Sequence, residues 1–365
     1  MAVSRKRTFG GVVFALLAAV AAGALLISCL APFLHPTKHS VLMLFGLYYI
    51  PLFLLNLLLL LIAIFRHPRS LLILVVGLLP TLLLADRFVK FGREEEMPAG
   101  PSFKILTYNV GRYDAGGRKI TSNESVPGIR RLLSEQDADI VCLQEFAVKD
   151  TSFLDTYLPT YPYQARHLFK GNRWFGNVTL SKYPIVGEST LTFPQSRNLS
   201  LVTDIDIDGR TIRVYNCHLE SYSISFTSLV KRLAHRDHFT DEVAQVHLPH
   251  LEVAQVHLKM REATRRRSEQ VSALLESEAQ SPYPNFLCGD FNDSPVSYTY
   301  HQLTRNGKDS FVEAGRGMGS SYSVLWPMLR IDYILLPPFC SAWRHETLRV
   351  PWSDHYPVMT NIYFQ

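Results

Sequence analysis

Six short polar clusters sit at or beside apolar, strand-like runs in the C-terminal two-thirds of the chain. They read Tyr108-Asn109-Val110, Leu143-Gln144-Glu145, Asn216-Cys217-His218-Leu219, Gly289-Asp290-Phe291-Asn292, Arg330-Ile331-Asp332-Tyr333 and Ser353-Asp354-His355. Carboxylate and amide oxygens suit a hard divalent cation. Histidine with aspartate suits proton transfer. A single Asp or Asn at a strand end is an ordinary turn former, but this set, repeated over most of a domain, describes a converging site. Hydrolysis of a phosphate ester would use all of it: a cation against the phosphoryl oxygens, an activated water, and a stabilised leaving oxygen. Glu145 is the first candidate ligand, with the amide oxygen of Asn109 beside it. Magnesium fits such oxygens, with manganese as the alternative ion. Asp290 and Asn292 lie two apart, so on an extended segment they face the same side. Asp290 could then orient or deprotonate the water and Asn292 could donate to a phosphoryl oxygen.

These side chains need strands to carry them. Apolar runs at 103–110, 139–144, 176–181, 200–207, 211–217, 285–288, 331–336 and 357–363 read as strands. Asp208-Gly209 marks a hairpin between two of them. Val126–Gln136 reads as a helix with Pro127 in its first turn, and Glu252–Glu278 as a long helix by its apolar spacing. Strands with interleaved helices and a hairpin predict an α/β sandwich of two sheets.

From about Ser102 to the C-terminus the motifs resemble, in order, those of the endonuclease/exonuclease/phosphatase (DNase I-like) superfamily. The match adds Gly176-Asn177 before Leu180-Ser181-Lys182-Tyr183-Pro184 to the clusters above. The resemblance implies a four-layer α/β/β/α sandwich with the site at one rim. It implies metal ligation by Asn109, Glu145 and Asp354, and catalytic roles for His218, Asp290, Asn292, Asp332 and His355. Asn177, His218 and Asn292 would meet the substrate phosphate, and Asp332 would pair with His355. Which group acts as base and which as acid stays open. Val178-Thr179 follow the Gly-Asn pair where relatives often have Ala, and Phe146 follows Gln144-Glu145 where apurinic endonucleases usually have Thr. Together with the lack of an evident basic or aromatic DNA-reading insert, this disfavours nucleic acid as the substrate.

The N-terminal quarter is of a different composition. Residues 1–93 read as a membrane region with apolar runs at 9–34, 41–65 and 71–85. The first two exceed the roughly 18–20 residues that cross a bilayer, and the third, containing Pro80, is short for it. A second long run after the first argues against a cleaved signal peptide. Arg5-Lys6-Arg7, Arg66 and Arg69 flank alternate ends, which predicts a cytoplasmic N-terminus and, with three crossings, an extracytoplasmic catalytic domain on the plasma membrane. Residues 94–101 form a linker and 102–365 the catalytic domain. The net charge of +5 over 365 residues is too mild to indicate nucleic acid by itself.

Other features take blander readings. The five cysteines form no C-x-x-C pair and read as small buried hydrophobes. Glu242–Leu248 recurs as Glu252–Leu258, a local duplication read as a surface insertion, so that His247, His250 and His257 are not taken as ligands. Arg265-Arg266-Arg267 reads as a solvated helix face. Trp174-Phe175, Phe226 and Trp343 are candidates for an aromatic rim around the site. The expected function is a membrane-anchored phosphoesterase whose partners are the lipid bilayer and a phosphorylated, lipid-linked substrate. A tethered nuclease is the alternative and a non-catalytic membrane scaffold the third reading. No obligate protein partner is evident.

Overall fold

The computed structural model describes residues 9–91, 96–98, 100–113, 122–222 and 249–364. The first copy of the duplicated segment and Phe226 lie outside them. Runs of Ala, Leu and Val with few competing polar groups become helices: α1 (Phe9–Leu30), α2 (Pro36–Leu47), α3 (Tyr49–Arg66) and α4 (Leu71–Leu78). A 3-10 turn over Leu79–Leu83, holding Pro80, extends α4. Ala18 and Ala21 of α1 pack with Leu59 and Ala63 of α3 and Leu74 of α4. Further along, Leu25 packs with Tyr49 and Leu84. Hence α3 runs against α1, and α4 runs with it. Asn56 ties the rods by donating to the Ala21 carbonyl at 3.0 Å. The outward faces are apolar and exposed, with Leu16, Val20, Leu58, Leu61, Leu72 and Val76 among them.

The run expected as a second span, 41–65, is not one helix. It breaks at Tyr48, where φ is −87° and ψ is 9°. Within that run only α3, at 18 residues, has span length, as does Phe9–Phe33 before it, and residues 41–47 belong to α2. The break lets α2 turn onto the catalytic domain. There the Tyr48 hydroxyl meets His257 Nε2 at 2.9 Å, a contact unavailable to a straight continuation.

The rest of the chain forms strands β1 (Val89–Lys90), β2 (Ser102–Asn109), β3 (Ile140–Val148), β4 (Tyr163–Lys170), β5 (Trp174–Ser181), β6 (Ile185–Thr192), β7 (Leu199–Ile207), β8 (Arg210–His218), β9 (Asn285–Asp290), β10 (Lys308–Asp309), β11 (Gly317–Met318), β12 (Asp332–Leu336), β13 (Cys340–Thr347) and β14 (Val358–Phe364). Its helices are α5 (Ser122–Gln136), α6 (Pro249–Ala279), α7 (Tyr298–Leu303) and α8 (Ser310–Ala314). One six-stranded sheet runs β13-β14-β2-β3-β5-β4 and the other β10-β12-β9-β8-β7-β6. Each has one parallel pair near its centre, β2 with β3 and β8 with β9.

Alternation along the strands builds the layers. Ile105, Ile140 and Cys142 of the first sheet meet Val214, Phe286, Cys288 and Ile334 of the second in the inter-sheet core. Their neighbours Leu106, Val141 and Leu143 face α5 residues Ile129, Leu132 and Leu133. Tyr215, Cys217 and Leu287 face Val271 and Leu274 of α6. The result is the α/β/β/α sandwich. All five cysteines are free, and Cys142, Cys217, Cys288 and Cys340 are buried.

Three boundaries differ from the expected ones. Helix α5 begins at Ser122, so Pro127 lies inside it rather than in its first turn. Strand β3 continues past Glu145 to Val148 across a bulge. The domain starts before the linker, because β1 pairs with β11.

Candidate active site

The same alternation that fills the core puts polar residues at its rim. Asn109 follows Ile105 by four positions, His218 follows Val214 by four, Asp290 follows Cys288 by two, and Asp332 precedes Ile334 by two. Each therefore lies on its strand's inward face, just beyond the last apolar layer. Register brings them level: His218 is opposite Asp290 across the parallel pair, and Asp290 opposite Asp332 across the antiparallel one. Asn109 donates through Nδ2 to Asp290 Oδ2 at 2.9 Å, bridging the two sheets.

Beneath this layer lies a buried amide network. Gln144 donates to Asn216 Oδ1 at 2.8 Å, and Asn216 donates to the Val178 carbonyl at 2.9 Å. Asn177, expected at the substrate phosphate, is placed here: its amide donates to the Asn216 carbonyl at 2.9 Å and only 1% of it is exposed. Its part is to hold β8 against β5, because a buried amide must find partners.

Glu145 reaches the rim by an irregularity. The bulge between Leu143 and Phe146 leaves Glu145 at φ +49°, a left-handed conformation that a non-glycine residue seldom adopts. Arg112 Nε donates to Glu145 Oε2 at 3.1 Å, and His218 Nε2 lies 3.6 Å from Oε1. Burial raises the Glu145 pKa, but His218 and Arg112 outweigh it and hold the carboxyl below its usual range. Gly111, at φ +54°, closes the turn after Asn109, and a Cβ there would come within 2.8 Å of Asp354 Oδ1.

The loop before β14 supplies the last residues. Ser353 Oγ donates to the Asn109 carbonyl at 2.8 Å, and so anchors Asp354 and His355. His355 Nδ1 lies 2.9 Å from Asp332 Oδ2, and Nε2 3.7 Å from Asp290 Oδ2. Burial disfavours the imidazolium, yet Asp332 and Asp290 raise its pKa well above the usual value. Asp290 itself is pushed up to about 6, by burial against the attraction of His355 and with the repulsion of Asp332. Asn292, at φ +52°, donates its backbone N–H to Asp290 Oδ1 at 2.8 Å and its amide to the Leu219 carbonyl at 2.9 Å.

Two oxygen-rich groupings could receive a cation. Asp290, Asp332 and His355 present ligand atoms within 4.8 Å of one another. They are buried, however, and His355 Nδ1 is committed to Asp332. Asn109, Glu145 and Asp354 offer the better fit. Glu145 is partly open, and Asp354 is raised by burial and by repulsion from Glu145, the signature of two carboxylates with too little positive charge between them. These oxygens suit magnesium or a similar hard ion.

Several contributors were not singled out from sequence. Arg112 was recognisable only by following the Asn109 motif. Tyr322, whose ring lies 5.1 Å from His355, carried no motif signal. Arg267 is not on a solvated face. It falls on the buried stripe of α6 formed by Met260, Ala263, Val271 and Leu274. Its guanidinium donates to the Asn292 carbonyl and lies 3.4 Å from Asp293 Oδ2. Arg265 and Arg266 do face outward and pair with Glu262.

A cleft of about 770 Å³ opens from Glu145 and His218, lined by Arg112, Lys170, Arg173, Arg197, Phe169 and Phe175 among others. Phe175 lines this cleft, where an aromatic rim was expected, whereas its neighbour Trp174 packs against the core cluster on the α5 side of the first sheet. Trp343 does not: it lies on β13, an edge strand of the first sheet, beside Tyr363 and Arg344.

Residues 106–355 match the model of the Endonuclease/Exonuclease/phosphatase family, and residues 11–88 that of a domain of unknown function. The chain is 25% identical over 289 residues to the uncharacterized protein YbhP of Escherichia coli, covering 72% of this chain and 96% of the relative. An endonuclease/exonuclease/phosphatase from Beutenbergia cavernae superposes with a TM-score of 0.54 at 17% identity, over 72% of each chain. Humanized D. rerio TDP2 gives 0.52 at 18%, over 72% of this chain and 98% of that one. Those structures share the fold. With two-thirds of its length inside the family match, the chain belongs to the endonuclease/exonuclease/phosphatase family of metal-dependent phosphoesterases and nucleases.

Proposed function

We propose that this enzyme is a membrane-anchored, magnesium-dependent phosphoesterase acting on a lipid-linked phosphate or pyrophosphate at the extracytoplasmic face. The observation that carries the reading is where the apolar helices attach. They dock against the loop that leaves the catalytic rim: Val296, four residues beyond Asn292, is buried among Leu25, Tyr49 and Leu84. A bundle fixed there would hold the cleft near the bilayer surface.

In this reading Asn109, Glu145 and Asp354 hold the cation, which would neutralise phosphoryl oxygens as the ester breaks. Asp290, with its raised pKa, takes a proton from the attacking water. Asp332 keeps His355 oriented and charged, so that Nε2–H faces the phosphoryl group. His218 and the Asn292 amide flank the same position, and Lys170, Arg173 and Arg197 receive a further anionic group of the substrate.

Although no separate DNA-reading insert is evident in the sequence, the β4–β5 hairpin beside the cleft supports the nuclease alternative. Its Phe169-Lys170-Gly171-Asn172-Arg173-Trp174-Phe175 segment interleaves basic and aromatic residues, a pattern that suits single-stranded nucleic acid. The discriminating experiment measures full-length enzyme in liposomes with magnesium on polyprenyl pyrophosphate, phospholipid and DNA. Fastest turnover on a lipid phosphate is expected. In Arg173→Ala/Arg197→Ala, KM for it should rise roughly tenfold or more, since two charge-assisted contacts are lost. Fastest cleavage of DNA would establish the nuclease reading instead.

Orientation has its own test. Arg66 and the N-terminal end of α1 share one end of the bundle, because Phe14 stacks on His67, and the catalytic domain adjoins the other. With the positive end cytoplasmic, protease added to spheroplasts should cleave after Met97. Cleavage only after lysis would place the domain in the cytoplasm.

A further inference from the structure

The chain leaves the apolar bundle through Arg87, and this residue touches both the loop that follows Asp290 and the loop that precedes Asp332. Its guanidinium NH1 donates to the Pro295 carbonyl at 3.0 Å. Its own carbonyl accepts from Arg330 Nε at 3.0 Å. Pro295 lies three residues beyond Asn292, and Arg330 two before Asp332. Arg330 is fixed in turn by a two-pronged bond to Asp309, at 3.1 and 2.6 Å. The Tyr333 hydroxyl joins the two loops directly, 2.8 Å from the Asp293 carbonyl and 2.7 Å from the Arg330 carbonyl. From the bundle side, Gly46 of α2 lies so close that a Cβ would stand 2.3 Å from the Val296 carbonyl oxygen.

We propose that Arg87 is a positioning residue: it transmits the seating of the apolar bundle to the Asp290-Asn292 and Asp332 loops, so that turnover depends on the docked bundle. The geometry supports a positioning rather than a merely cohesive role, because the contacts converge on the two short loops that flank Asp290 and Asp332, the carboxylates that face His355. Misplacing reacting groups by about 1 Å can cost on the order of a hundredfold in rate. Tyr48, in the same interface, directs its hydroxyl and ring to His257 on α6 instead. The inference rests on phosphoester hydrolysis and is independent of which substrate is natural.

The test uses the full-length enzyme in detergent or liposomes, with bis-para-nitrophenyl phosphate and magnesium. Arg87→Met keeps the aliphatic stem and removes the donor. It should lower kcat by roughly ten- to a hundredfold with KM within about twofold. Arg87→Lys, which can still donate to Pro295, should recover most of the loss. Tyr48→Phe breaks a docking bond and should share the loss of thermal stability, but its kcat should stay within about twofold of the parent. If Arg87→Met does not fold, Gly46→Ala presses on the same loop from the other side and should give the same fall in kcat. A folded Arg87→Met or Gly46→Ala with parental kcat overturns the proposal, as does an equal loss in Tyr48→Phe. An inactive parent on this diester, with activity on lipid phosphates, moves the same comparison to the lipid substrate.

Discussion

Asp290→Asn is expected to reduce turnover by roughly 10²–10⁴-fold, the range for losing a positioned general base. The side chain is 1% exposed and sits where β8, β9 and β12 come level, with Asn109 donating to one oxygen and the Asn292 N–H to the other. Asparagine fills nearly the same volume but cannot take the water's proton. The fold should survive. Burial already pushes the Asp290 carboxyl up to about 6, so its ionised form is held at a cost in the folded protein. A neutral amide removes that cost, which offsets the loss of the charge-assisted bond from Asn109 Nδ2. Kinetics and a thermal melt on the same preparation check both halves: lost kcat with a melting temperature unchanged or raised. Activity within tenfold of the parent would remove Asp290 from the base position.

Glu145→Gln should lower turnover by at least roughly a hundredfold and weaken the dependence on magnesium, because it takes a partly open carboxylate from a site that works by charge stabilisation. The substitution also frees Arg112, which now donates to Glu145 Oε2, and leaves His218 without its nearest carboxylate. The measurement is a magnesium titration after EDTA treatment. A higher magnesium requirement with partial recovery at saturation fits a lost ligand. Full activity at the parental magnesium concentration would show that Glu145 holds no cation. The left-handed backbone at Glu145 fits such a role, since residues held in uncommon conformations concentrate at functional sites.

Much of this architecture could be read from residues alone, for identifiable reasons. The central strands β2, β3, β8, β9, β12 and β14 are buried on both faces, so they appear as apolar runs that end in polar motifs. Once their period of two is known, Asn109, His218, Asp290 and Asp332 must share the inter-sheet side. Strands β4, β6 and β13 were missed, and all three are sheet edges. An edge strand is half-exposed and mixes polar with apolar residues, as Tyr163–Lys170 does, so it loses the run that marks a strand. The apolar composition of residues 9–83 announced helices of bilayer length, but not the break at Tyr48. Pro51, which cannot donate to the Leu47 carbonyl, is the local mark of that break, whereas the contact it permits joins Tyr48 to His257, 209 residues away.

The sequence by itself determined the family, the sandwich and the list of polar side chains at the rim, because these follow from motif order and strand alternation. Tertiary structure alone decided what each one does there. It sent Asn177 into the amide network under the site, where the family resemblance had implied a phosphate contact, and Arg267 inward to Asn292, where the charge run had suggested a solvated face. It gave Glu145 its outlook through a bulge, and brought Arg87 from the end of the apolar region to the catalytic loops. Hydrogen-bond partners distant in the chain are selected by packing, and no local pattern encodes them.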